Sequence, residues 1–82
     1  MKPHNDHLNS KPANLILQLR QTLGLTQEKL AQKLGVSFPT INRWENGRSK
    51  PSPLALKQIE DLLQDLGDQG KQLLKQYFGG SR

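Results

Sequence analysis

Apolar side chains return along this chain at helical spacing, in five runs parted by glycine, proline and capping residues. Ile16, Leu19 and Leu23 fall at i, i+3 and i+7. They predict a first helix from about Pro12, a residue tolerated in a first turn, to Leu23, with Gly24 ending it. Thr26 then stands as an N-cap whose hydroxyl accepts an orphan amide, while Glu28 complements the positive end of the helix that follows. That second helix, Gln27 to Leu34, turns Leu30, Ala31 and Leu34 inward, with Ala31 small enough for a close crossing. Gly35 takes the left-handed conformation of a sharp corner and Val36 buries it. Ser37 caps a third helix over about 38–46, with Gly47 beyond its end. Pro39 there removes only an amide that has no intrahelical partner, although it disfavours α geometry at Phe38. Around this helix Ile41, Trp44 and Glu45 share one side, and Pro39, Asn42, Arg43 and Asn46 share the other. Ser52 and Pro53 open a fourth helix to about Leu66. Its stripe is Ala55, Ile59, Leu62 and Leu66, widened by Leu56 and Leu63, and Gly67 stops it. A last short helix spans Asp68 to Phe78.

Composition sharpens this into a fold class. The chain holds 15 Leu against three Ile and one Val, and this shortage of β-branched residues favours helices over a sheet. The expectation is an all-α, four- to five-helix domain over residues 12–67. Residues 1–11 are then a mobile N-terminal arm, and residues 68–82 a C-terminal helix with a flexible tail. With no cysteine there is neither a disulfide framework nor a thiolate metal site, so helix packing alone must supply the core of these 82 residues. The opening residues are polar and no stretch approaches the roughly 18 apolar residues of a membrane span. A soluble, cytoplasmic protein is expected.

Charge is divided along the chain. Residues 26–57 carry Lys29, Lys33, Arg43, Arg48, Lys50 and Lys57 against Glu28 and Glu45, whereas residues 58–70 carry Glu60, Asp61, Asp65 and Asp68 and no base. A basic centre attracts polyanions and an acidic flank confines that attraction to one side. Catalysis finds no foothold. There is no cysteine nucleophile, no histidine beyond the arm, and no glycine-rich phosphate cradle. His4 and His7 sit three apart but lack a third ligand. No enzyme activity, cofactor or metal is expected.

Two short helices around a tight turn, followed by the basic loop Arg48-Ser49-Lys50, have the layout of a helix-turn-helix that places its second helix in the DNA major groove. Residues 16–66 resemble the Cro and phage-repressor (XRE-like) type of helix-turn-helix domain. The resemblance is carried by Arg20 late in helix one, Leu25-Thr26-Gln27 opening helix two, Leu30-Ala31 within it, Leu34-Gly35-Val36-Ser37 at the turn, and Trp44-Glu45-Asn46-Gly47. It implies a small sequence-specific regulator of transcription, repressor-like, that binds double-stranded DNA as a homodimer. Two alternatives accompany it: an antitoxin-like autoregulator that also grips a toxin, and a protein-interaction module that has lost DNA binding.

The resemblance makes Gln27 a phosphate contact, which suits a helix N-terminus with free amides and positive potential. Asn46, Arg48 and Lys50 are further phosphate contacts beyond the third helix, with Lys33 a weaker one. Base reading falls to helix three. Arg43 suits guanine O6 and N7, Asn42 suits adenine, and Ser37 and Thr40 reach a base or a phosphate. Phe38 and Pro39 depart from the family, which often places Gln at these positions. With no hydrogen-bonding side chain, either can meet a thymine methyl, or Phe38 can fold back onto helix two. Glu45 is expected to pair with Arg20, tying helix one to helix three, and Trp44 to pack. Leu73, Leu74, Tyr77 and Phe78 form either a dimer seam or a face folded onto helices one and four.

Overall fold

A computed structural model describes residues 11–79 of the chain. The arm with His4 and His7, and the tail at 80–82, lie outside the described residues. Five helices follow one another: α1 Lys11–Leu23, α2 Gln27–Leu34, α3 Phe38–Glu45, α4 Pro53–Asp65 and α5 Asp68–Phe78. There is no strand among the described residues, and the fold is all-α.

Each start and stop has a local cause. Thr26, Ser37 and Ser52 sit in extended backbone and accept from the amides of Lys29, Thr40 and Ala55 at 3.1, 3.2 and 3.1 Å, so α2, α3 and α4 each begin on a side-chain cap. Between α2 and α3 the chain turns on Gly35 at φ 73°, and Val36 donates back to the Ala31 carbonyl at 3.0 Å. α3 ends one residue before the sequence expectation, with Asn46 as its cap and Gly47 left-handed beyond it. Pro51 is buried in the next loop, which anchors the segment that carries Arg48 and Lys50.

One core unites all five helices. Ile16, Leu19, Leu30, Ile41, Ile59 and Leu63 are its fully buried side chains, with Leu34, Ala55, Trp44 and Leu73 around them. On α4 the buried line is Ala55, Ile59 and Leu63, whereas Leu62 and Leu66 are only half-buried. The stripe therefore runs at i, i+4, i+8 instead of along the row expected from the sequence. Two boundaries shift as well. Lys11, placed in the arm, is the first residue of α1, and α5, placed outside the domain, packs into the same core through Gly70 and Leu73. Burial pushes the Tyr77 phenol on α5 up from its ordinary value.

Gly70 explains the close seat of α5. A Cβ at this position would be driven into the backbone carbonyl oxygen of Leu63 and would lie 2.7 Å from its carbon. The backbones of α4 and α5 therefore touch where only glycine fits.

Candidate nucleic-acid interface

The exposed side of α3 is built by its own amphipathic pattern. Ile41 and Trp44 are buried, so Phe38, Pro39 and Arg43 face outward. Phe38 keeps 47% of its surface exposed. Thr40 is half-buried beside Ser37, and the two hydroxyls lie 2.9 Å apart while Ser37 also caps the helix. Only one hydroxyl hydrogen is consumed between them, which leaves the other to donate outward. Arg48 and Lys50 are exposed beyond the far end of the helix, and Lys33 is exposed in the last turn of α2.

Behind this surface lies an ion pair. Arg20 Nε donates to Glu45 Oε2 at 2.7 Å and Nη2 donates to Oε1 at 3.2 Å, which makes the pair bidentate. Arg20 Nη1 also donates to the Leu25 carbonyl at 3.2 Å, so one guanidinium holds α1, the start of α2 and the end of α3 together. The hydrogen bond to Glu45 raises the guanidinium above its ordinary pKa, against a smaller lowering from burial.

Three side-chain amides extend from the same carboxylate. Gln27 Nε2 donates to Glu45 Oε1 at 2.9 Å, Asn42 Nδ2 donates to Gln27 Oε1 at 3.3 Å, and Asn46 Nδ2 donates to Asn42 Oδ1 at 3.0 Å. The three residues are half-buried, and together they join the start of α2 to the length of α3. The sequence pattern put Asn42 and Asn46 on a free outer face. The structure instead engages both ends of the Asn42 amide, each through one of its two hydrogen-bonding positions. The i, i+4 spacing of Asn42 and Asn46 allows the bond between them, whereas no sequence signal points to the two bonds of Gln27, whose partners lie on another helix.

The C-terminal apolar residues separate in the same way. Leu73 is buried within the monomer and is not available to a partner, while Leu74, Tyr77 and Phe78 are half-buried and packed against the core. Among the described residues, Leu54 is the most exposed large apolar side chain at 71%. Among the described residues no group of His, Cys, Asp and Glu could hold a metal, and no helix is long and apolar enough to cross a membrane.

Comparison with known proteins places this geometry in a family. A helix-turn-helix family model matches residues 16–67, from the middle of α1 through the end of α4. An uncharacterised HTH-type transcriptional regulator of Archaeoglobus fulgidus is 34% identical over 71 residues, 85% of this chain and 31% of that protein. One of Methanothermobacter thermautotrophicus is 47% identical over 45 residues, 55% of this chain and 65% of the relative. The HTH-type transcriptional activator BcrR of Enterococcus faecalis is 48% identical over 42 residues, 51% of this chain and 21% of that activator. The chain thus spans between about a fifth and two thirds of the length of these relatives. No solved structure gives a significant match.

Proposed function

From the premise that the chain belongs to the XRE family of helix-turn-helix DNA-binding regulators, we propose that it binds double-stranded DNA sequence-specifically, with α3 in the major groove, and regulates transcription in repressor-like fashion. The observation that carries this is the outer face of α3. Arg43 stands exposed there beside Phe38 and Pro39, with Arg48 and Lys50 exposed beyond one end of the helix. Arg43 reads guanine through O6 and N7, Phe38 and Pro39 meet thymine methyls, and Ser37 and Thr40 supply one outward hydroxyl. Gln27, Asn46, Arg48 and Lys50, with Lys33 and Ser37 as lesser contributors, hold the phosphates and set the register.

The first test is the salt dependence of binding to mixed duplex DNA. The three charged phosphate contacts, Arg48, Lys50 and Lys33, give a slope of about −3 in log K against log salt. A flat response would favour a protein-interaction module instead. Selection from random duplexes then defines the site, and on the selected site Arg43→Ala is expected to cost about 1–3 kcal/mol and to relax one G·C position. Equal loss on all sequences would move Arg43 from base reading to phosphate contact.

A single module of this kind buries only about 600–1,000 Å² of its surface on DNA, so two copies on half-sites one helical turn apart are proposed. The half-buried Leu74, Tyr77 and Phe78 are the remaining seam. Leu74→Glu should lower the sedimentation mass from dimer to monomer with folding retained, and an unchanged mass removes the seam.

A further inference from the structure

Asn46, Asn42 and Gln27 form a relay whose hydrogen bonds all point one way, toward the Glu45 carboxylate. A carboxamide keeps nearly the same shape when its oxygen and nitrogen trade places, so packing alone leaves each of the three amides two orientations. Glu45 removes that choice. A carboxylate only accepts, so Gln27 must offer its NH2 group at 2.9 Å. This turns Gln27 Oε1 toward Asn42, which must in turn donate, and Asn42 Oδ1 then faces Asn46, which must donate as well.

We propose that Glu45 is a positioning residue for DNA binding, fixing through Gln27 and then Asn42 where all three amides hold their remaining N–H donors. Each NH2 group has two hydrogens and the relay uses one of each, which leaves one donor per amide for phosphate oxygens. Asn42 becomes an orienting residue between two phosphate contacts rather than a reader of adenine. The side chain of Glu45 is only 9% exposed and is itself clamped by Arg20, so it acts through its neighbours and not by touching DNA.

The inference rests on the DNA-binding reading, yet its geometry is testable in the free protein. In wild type, NMR should show Gln27 NH2 protons close to the Glu45 γ-protons and Asn42 NH2 protons close to the Gln27 γ-protons. In Glu45→Gln the new amide keeps its oxygen on Arg20 Nε, where the 2.7 Å bond is the shortest, and places its NH2 where Oε1 stood. The relay then reverses. Asn42 NH2 protons should approach the Asn46 β-protons, and duplex affinity should fall roughly tenfold, the worth of one hydrogen bond to a charged group. Asn42→Ala, at a half-buried surface position, cuts the relay and leaves the Arg20 pair intact. In that variant the Asn46 amide protons should move to the values of a free side chain while those of Gln27 stay on Glu45. Unchanged proximities in Glu45→Gln, or unchanged Asn46 amide signals in Asn42→Ala, overturn the relay. A wild type that shows the relay but binds no duplex overturns the DNA-binding reading instead. Duplex binding without the relay proximities overturns the relay alone.

Discussion

Arg20→Ala is expected to lower the melting temperature by roughly 10–20 °C, the equivalent of about 2–3 kcal/mol in a domain of this size. Removing one member of a largely buried pair costs more than the pair itself contributes, because the other charge is left without its counter-charge. Here that charge is Glu45, 9% exposed, which would lose both guanidinium bonds, while the Leu25 carbonyl would lose a third. The loss is smaller than for a fully buried pair, since the Arg20 side chain is 23% exposed and water can reach it. Arg20→Lys should recover only part of the loss, as an ammonium cannot bond both carboxylate oxygens and the Leu25 carbonyl from one planar fork. Calorimetry of the three proteins decides the matter, and an unchanged midpoint in Arg20→Ala would show that the pair is fully screened. Duplex binding should weaken as well, because Glu45 also holds Gln27.

Gly70→Ala should destabilise the protein by about 1–3 kcal/mol, although helix propensity alone points the other way. Replacing a helical glycine by alanine ordinarily gains about 1 kcal/mol, and Gly70 lies inside α5. The gain is outweighed because the added Cβ meets the backbone of Leu63, which has no rotamer to turn aside. Either α5 slides along α4 or it lifts off and exposes Leu73. Urea denaturation gives the sign directly, and a raised midpoint would mean that the two helices separate easily. Gln69→Ala, at the exposed neighbouring position, is the control for propensity without contact.

Capping made the helices legible from the sequence. Thr26, Ser37 and Ser52 stand just before apolar runs, and Gly35 and Gly67 just after them, so the starts and ends follow from groups a few residues apart. Local periodicity served less well on α4. Leucines occupy so many of its positions that two rows are equally apolar, and packing against the other helices decides which is buried. Gly70 was illegible for a related reason. Nothing nearby distinguishes a glycine needed for close approach from one that merely weakens a helix. At the interface, the exposed Arg43, Arg48 and Lys50 could be placed from the helical wheel and the loop. The relay could not, since Gln27 is 15 residues from Asn42 and 18 from Glu45. The wheel showed which way Asn42 leaves its helix, but not that a neighbouring helix had brought an amide to meet it.

Trp44 is the chain's one tryptophan, and it lies on the inner side of the same helix whose outer side carries Arg43. Its emission is therefore a label-free gauge of how α3 is seated. Water reaching the indole reddens the spectrum when the helix leaves the core, whereas a duplex on the opposite face leaves the ring dry. Unfolding and occupancy can be followed in one cuvette as separate optical events.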